Sequence, residues 1–209
     1  IDIKIARNMR RVSTLAVPLQ IKRDIIGLIT AVLRLSDSPL ASLLARIYVE
    51  AVRNTPLLIQ IFFIYFVLGP VLGLQRLPAA VLSLSLFEGA YIAEILRSGI
   101  LSVPHQQVEA SYSLGLGTYA TYRKVILPQA FRIIIPPLIS QFLNLIKNSS
   151  LAMTIGVMDL TYMARQIEAH TFHGFEAFTV STLMYLSLSL LVSLAINQYN
   201  KRCLHVRSR

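Results

Sequence analysis

Two long apolar runs follow one another in the first half of the chain, with only two polar residues between them. The first run covers Leu57–Leu74 and the second extends from Leu77 to about Leu96, on either side of Gln75 and Arg76. Each run is close to the length of about 20 apolar residues that a helix needs to cross a bilayer. The pattern therefore predicts a hairpin of two membrane helices.

The second half of the chain contains further apolar runs with more interruptions. Phe131–Ile146 includes Pro136 and Pro137, which predict a kinked membrane helix whose freed carbonyl groups are satisfied by its neighbours. Leu151–Met163 is too short for an ordinary span and predicts a partial or re-entrant helix. Ala177 to Ile196 is uninterrupted and predicts the last membrane helix.

The N-terminal quarter departs from this pattern. Its basic start lacks a following apolar core, so no cleavable signal peptide is expected. The apolar stretch Ile25–Leu35 is only about half a span long, which suggests an incomplete first span. Thr55 and Pro56 precede the first long run and predict a helix start, with Thr55 as N-cap and Pro56 at the first helical position.

Basic residues near the ends of the runs indicate the orientation, because cytoplasmic loops are enriched in lysine and arginine. If all the clusters are cytoplasmic, the four long runs cross the membrane in alternating directions. This topology is consistent only if Leu151–Met163 does not cross. The clusters are Arg46 and Arg53, then Arg123 and Lys124, then Lys201, Arg202, Arg207 and Arg209.

Composition supports lipid as the surrounding medium. The chain is 55% hydrophobic and 14% charged, with a mean hydropathy of +0.61. A net charge of +10 could indicate nucleic acid, but the basic residues lie in short clusters between apolar runs rather than along one helix or arm. We expect a lipid bilayer and no nucleic acid as partner. The single cysteine, Cys203, cannot form an internal disulfide framework.

The central polar loop combines small residues, a glycine and a proline before the next apolar run. The physical interpretation is a short helix over Glu109–Leu114, a turn at Gly115 where the backbone is left-handed or closely packed, and a second helix that enters the membrane at Pro128. Such a loop presents a rigid knob to a partner groove. The alternative is an ordinary amphipathic loop helix. The residues that carry the pattern are Glu109, Ala110, Ser111, Gly115, Leu127 and Pro128.

This loop, EASYSLGLGTYATYRKVILPQA, resembles the EAA loop of ABC importer permeases, with Ser111 in place of alanine and Val125 in place of isoleucine. Three further segments are similar to the polar amino acid uptake family, and the likeness covers about Tyr48 to Arg202. The segments are Arg53–Leu58, in which Asn54 replaces a glycine, Phe87–Glu94 and Asn144–Leu151.

The resemblance implies an all-α polytopic membrane protein, a type I ABC importer permease bundle of about five core transmembrane helices with a cytoplasmic coupling-helix loop. The chain then divides into an N-terminal segment 1–55 with an incomplete-looking first span, a core permease domain 56–202 whose coupling loop covers 100–130, and a cytoplasmic tail 203–209. We expect a multi-pass protein of the bacterial inner membrane.

The implied function is that of a permease subunit of an ATP-driven importer of polar amino acids. It has no ATPase site of its own and binds no cofactor, because ATP and magnesium belong to the partner. The implied partners are two copies of an ATP-binding subunit, a second permease of the same or a similar kind, and an extracytoplasmic amino-acid-binding protein. Alternatives are a permease for another polar solute, a secondary transporter or channel, and a membrane scaffold.

Ionisable groups at membrane depth are costly and need partners or water. Glu88, Tyr91 and Glu94 are spaced by three, so one side of their helix could carry a polar track along a translocation path. The competing interpretation is a Glu94–Arg97 pair near the cytoplasmic face together with a buried Glu88 bonded to a neighbouring helix. Both stay open.

The segment Lys147, Asn148 and Ser149 stands where a kinked helix gives way to a shorter one, a place where backbone can line a cavity. Lys147 suits a zwitterion's carboxylate and a glutamate suits its ammonium, while Asp159 could take the ammonium or act as a gate residue. His170 and His173 lack further ligands nearby, so we expect no metal site.

Overall fold

A computed structural model describes residues 21–203, and all regular elements in that range are helical. The basic N-terminal stretch, for which no cleavable signal peptide is expected, and most of the predicted cytoplasmic tail lie outside these residues. The elements in chain order are α1 (21–34), α2 (Pro39–Arg53), α3 (Leu57–Phe62), a π-helical segment (Phe63–Leu68), α4 (Gly69–Leu72), α5 (Arg76–Leu101), α6 (His105–Ser113), α7 (Thr118–Thr121), a second π-helical segment (Tyr122–Ile126), α8 (Leu127–Asn148), a 3₁₀ segment (Ser149–Ile155), α9 (Leu160–Thr171) and α10 (Gly174–Cys203).

Three helical stretches in the described range are long and apolar enough to cross a membrane, namely Arg76–Leu101, Thr118–Ile155 and Gly174–Leu194. Pro39–Arg53 and Leu57–Leu72 together give a fourth if the bent pair counts as one span. The prediction of an all-α polytopic protein is confirmed. The described residues supply fewer spans than the predicted five, because α1 is described over residues 21–34 only.

The first long predicted span, Leu57–Leu74, is not a straight continuation of the helix before it. The helical axis turns by 107° between Pro39–Arg53 and Leu57–Leu72. Proline at 56 has no N–H to continue α2, and Pro56 itself is the N-cap of α3. The expected N-cap role of Thr55 is wrong, because its hydroxyl donates to the Ala51 carbonyl at 2.7 Å and so closes the end of α2.

The predicted partial helix Leu151–Met163 is two elements with different limits. The 3₁₀ segment ends at Gly156, whose φ of +78° is the left-handed conformation that favours glycine. Asp159 then caps α9, which continues beyond the predicted limit at Met163 to Thr171. α9 packs mainly against α10 and also contacts the 3₁₀ segment.

Helix α5 lies at the centre of the bundle and approaches its neighbours closely at glycines. A Cβ on Gly99 would lie 2.2 Å from Cγ1 of Ile134 on α8, and a Cβ on Gly89 would lie 2.7 Å from Cγ2 of Ile26 on α1. Small residues allow membrane helices to pack at short distance. This packing brings α8 and α1 against the same helix that carries Glu88 and Glu94.

Candidate functional site

The central loop forms a short exposed helix at the junction of α5 and α8. α6 begins after Pro104, and the Glu109 carboxylate on its surface lies 3.0 Å from Nδ1 of His105, one turn earlier. Ala110 is exposed, and so are Tyr112 at 47% and Leu114 at 82%. α6 therefore presents charge, a small residue and apolar surface together.

Gly115 ends α6 through a specific backbone turn. Its φ is +78°, its N–H donates to the Tyr112 carbonyl at 2.9 Å, and the N–H of Leu116 donates to the Ser111 carbonyl at 3.1 Å. This pair of bonds after the C-cap Leu114 is a Schellman motif, in which the left-handed position favours glycine. Among the described residues no atom lies within 4 Å of a Cβ built on Gly115. The left-handed backbone, and not close packing, requires the glycine.

Ser111 and Thr121 join the two sides of this turn. Both are buried, with 3% and 0% exposure, and their hydroxyl oxygens are 2.9 Å apart. The Ser111 hydroxyl also donates to the Val108 carbonyl at 2.7 Å. The serine that departs from the EAA pattern thus forms a cross-link by hydrogen bond between α6 and α7.

The loop continues into the membrane through the second π-helical segment. Pro128 lies in the first turn of α8 and has no N–H for the carbonyl of Lys124, which accounts for the wider turn just before it. Leu127 is 37% exposed, and Pro128 is exposed. An apolar cluster under the loop fixes it to the bundle, and its buried members are Val103, Ile126, Ala130 and Ile134.

Glu88 is fully buried at the middle of α5 and is bonded to α8. Its carboxylate accepts hydrogen bonds from Nε2 of Gln141 at 2.8 Å and from Nδ2 of Asn148 at 3.0 Å. Two amide donors satisfy part of the desolvation that a buried carboxylate suffers. Glu88 and Gln141 are buried, and Asn148 is half-buried.

Glu94 is held by two arginines. Arg97, one turn later, places Nη2 2.5 Å from Oε1, and Arg34 at the end of α1 bonds the other carboxylate oxygen. The structure therefore contains the Glu94–Arg97 pair and adds a second cation from another helix. Glu94 is tied to α1 rather than to α8.

The remaining substrate-path candidates are dispersed. The Tyr91 ring lies under Arg53 of α2, with 5.3 Å between Cζ and the ring centroid. Glu88, Tyr91 and Glu94 thus turn toward α8, α2 and α1 in that order, so they do not form one continuous track. Lys147 is exposed at the end of α8, and the Ser149 hydroxyl donates to the Ile146 carbonyl at 2.8 Å.

Asp159 is hydrogen-bonded to both α9 and α10. Its carboxylate accepts a hydrogen bond from the Tyr162 N–H at 2.7 Å, which caps α9, and another from the Tyr185 hydroxyl of α10 at 3.3 Å. Burial raises the pKa of the Asp159 carboxyl, and these two hydrogen bonds act in the opposite direction. The residue clamps α9 to α10.

Sequence reasoning overlooked four residues that complete these contacts. They belong to ordinary polar types and lie ten or more positions from their partners, so no local pattern marks them. The overlooked residues are Arg34, Thr121, Gln141 and the buried Arg23, whose guanidinium lies 5.7 Å from the Phe142 ring centroid.

The two histidines that were considered as metal ligands lie in and after α9. His173 faces Glu176 at 3.6 Å, and residues 21–203 contain no group of three possible metal ligands.

Residues 25–205 match the family model described as binding-protein-dependent transport system inner membrane component. The chain belongs to this family. It is 39% identical over 180 residues to the probable glutamine ABC transporter permease protein GlnP of Bacillus subtilis (strain 168), covering 84% of this chain and 83% of that one. It is 38% identical to the probable amino-acid ABC transporter permease protein PatM of Vibrio harveyi, covering 77% and 74%.

Solved structures give the same fold. A chain of an amino acid ABC transporter crystallised with histidines matches with a TM-score of 0.84 at 32% identity, covering 90% of this chain and 89% of that one. The MetNI methionine ABC transporter in an inward-facing conformation matches with a TM-score of 0.75 at 18% identity over 94% of each chain, a likeness of fold alone. The predicted type I importer permease fold and the multi-pass location in the inner membrane are confirmed. The family is a membrane component distinct from the ATP-hydrolysing subunit.

Proposed function

We propose that this chain is the membrane-spanning permease subunit of an ATP-driven importer of polar amino acids. The names of its relatives, glutamine and amino-acid permeases, support this substrate class. The observation that carries the proposal is the central loop, a short exposed helix fixed by the Gly115 turn and by the Ser111–Thr121 bond. A permease needs such a rigid contact to receive work from an ATPase.

The coupling role falls to the exposed surface of α6 and to the start of α8. Glu109 and Ala110 contact the groove of an ATP-binding subunit, and Leu127 and Pro128 carry the movement into the membrane. This chain has no ATPase site and holds no cofactor, since ATP and magnesium belong to the partner. The coupling loop covers residues 100–130 of a core permease domain 56–202.

The assembly contains two permease halves, because alternating access needs two bodies that rock about a central path. A second permease of the same or a similar kind supplies the other half, and each half contacts one copy of the ATP-binding subunit. An extracytoplasmic amino-acid-binding protein delivers the substrate. The apolar exposed surface of α10, including Leu186 at 52% and Leu191 at 66%, suits lipid or a neighbouring permease.

The substrate path involves the end of α8 and the middle of α5. The exposed ammonium of Lys147 suits a substrate carboxylate, and Glu88 with Asn148 suits an ammonium once α8 moves away from α5. The other path candidates are Tyr91, Glu94, Ser149 and Asp159. Each already has a partner on this chain, so its use by substrate requires a change of partner.

Purification through a tag on this chain, followed by reconstitution of the retained complex in liposomes, tests the proposal. We expect ATP enclosed in the vesicles, where it reaches ATP-binding subunits that face the lumen, to drive accumulation of one or more polar amino acids against a gradient. If only another polar solute accumulated, the chain would be an importer permease for that solute rather than for polar amino acids. Accumulation that is independent of ATP would indicate a secondary transporter and overturn the proposal.

A further inference from the structure

Two buried hydroxyl groups stand out in a loop whose other polar side chains are largely exposed. Ser111 on α6 is 3% exposed and Thr121 at the end of α7 is 0% exposed. Buried polar groups in folded proteins are nearly always hydrogen-bonded. Here the 2.9 Å contact between the two hydroxyl oxygens is the bond that spans the turn.

The direction of that bond follows from the number of protons. A hydroxyl group has one proton to donate, and Ser111 donates its proton to the Val108 carbonyl at 2.7 Å. Thr121 is therefore the donor to Ser111. Removal of the Thr121 hydroxyl removes the cross-turn bond and leaves the Ser111–Val108 bond in place.

The position of Thr121 connects the loop to the polar cluster at membrane depth. Thr121 directly precedes the π-helical segment Tyr122–Ile126, which leads into α8. α8 carries Gln141 and Asn148, both bonded to Glu88. Besides this hydroxyl pair, α6 reaches α8 through Val108, which packs against the buried cluster that contains Ile126 and Ala130.

We infer that the Ser111–Thr121 hydrogen bond is a clasp that makes α6 and α7 move as one body during the transport cycle, with Thr121 as a positioning residue for coupling. This inference rests on the proposed importer function. Because the clasp joins α6 to α7 across the Gly115 turn, displacement of α6 by the ATPase is transmitted to α8.

The first experiment measures ATP hydrolysed per amino acid transported by the reconstituted complex. Thr121→Val keeps the shape of the side chain and removes the donor, so the ratio should rise about five-fold, a change equivalent to about 1 kcal/mol. Thr118→Val, an exposed threonine of the same short helix, is the matched control and should leave the ratio unchanged. Equal ratios for the two variants would overturn the clasp.

The second experiment locks the pair covalently. In a Cys203→Ser background, Ser111→Cys and Thr121→Cys together should oxidise to a disulfide, since the two hydroxyl oxygens already lie 2.9 Å apart. If α6 and α7 move as one body, the oxidised complex should still transport, and the disulfide should lower the ATP-to-substrate ratio below that of the reduced form. A block of transport on oxidation, reversed by reductant, would show that the two helices must separate. Failure of the pair to oxidise would contradict their placement.

These outcomes are separate from the failure of the proposed function. If the unmodified complex shows no ATP-dependent accumulation of any amino acid, the importer proposal falls. If the unmodified complex transports and Thr121→Val keeps the ratio of Thr118→Val, only the clasp falls.

Discussion

The side-chain amide of Asn148 donates a hydrogen bond of 3.0 Å to the carboxylate of Glu88, sixty positions earlier in the chain. This contact and the one from Gln141 join the outer part of α8 to the middle of α5. An ionisable group at membrane depth is thereby held by neutral amides in the described part of the chain. The contact links the coupling loop, through α8, to the centre of the bundle.

We expect Glu88→Ala to destabilise the protein more than Glu88→Gln. Alanine leaves the buried Gln141 amide and the half-buried Asn148 amide without this acceptor, and an unsatisfied buried group costs about 1–3 kcal/mol, whereas glutamine keeps one acceptor oxygen. Thermal unfolding of the purified complex measures the order. The account is contradicted if the two variants unfold at the same temperature.

Removal of the Glu94 charge should not be rescued by removal of Arg97 alone. Glu94→Gln leaves both Arg34 and Arg97 unpaired, so the double change with Arg97→Gln still leaves Arg34 without a carboxylate. The triple change that includes Arg34→Gln should recover most of the lost stability, because no unpaired charge remains. Thermal unfolding midpoints of the single, double and triple variants decide this point.

A separate measurement of uptake distinguishes the structural role of Glu94 from a role in the substrate path. If the triple variant regains stability and full uptake at limiting substrate, Glu94 is a structural ion-pair partner. Recovery of stability without recovery of uptake would support a place for Glu94 in the path.

Gly115→Val should break coupling while the protein still inserts in the membrane. A β-branched residue at φ +78° is strained by about 1–3 kcal/mol, and the loop lies outside the hydrocarbon. Gly117→Val is the control, because Gly117 has φ −72° and, among the described residues, a Cβ there meets no atom within 4 Å. Normal membrane levels with lost ATP-driven uptake are expected for Gly115→Val only. Unimpaired uptake by that variant would remove Gly115 from the coupling residues.

Lys147→Met should weaken stimulation of the ATPase by substrate without loss of assembly. The loss expected for a charge-assisted hydrogen bond to a carboxylate is about 1.5–3 kcal/mol, seen as a higher substrate concentration at half-maximal stimulation. Lys22→Met removes a charge from another exposed lysine and serves as control. Identical concentration dependence in both variants would exclude Lys147 from the substrate contact.

The spans and the loop turn could be predicted because their signals are local. Apolar runs locate α5, α8 and α10, and Gly115 occupies the left-handed position that its residue type suggests. Contacts between distant positions could not be predicted. Thr121, Arg34 and Gln141 are recognisable only once packing sets which helix faces which, and a single sequence does not pair residues that are ten, sixty and fifty-three positions from their partners.

The bend at Thr55 and Pro56 shows a different limit. Residue types there correctly indicate a helix start, but the Thr55 hydroxyl can either accept from an N–H at the start of α3 or donate to a carbonyl at the end of α2. The bond to Ala51 decides for the latter. Hydropathy alone also cannot show that Leu57–Leu72 turns by 107° from the helix before it.

The most direct test of the central claim is amino-acid uptake by liposomes that contain this chain with and without its ATP-binding partner. Matched vesicles receive equal amounts of the permease, the amino-acid-binding protein is added outside all of them, and radiolabelled polar amino acids are followed with ATP or a non-hydrolysable analogue enclosed in the vesicles. The account predicts accumulation against a gradient only when the partner and hydrolysable ATP are both present. Accumulation by the permease alone, or with the non-hydrolysable analogue, would contradict it.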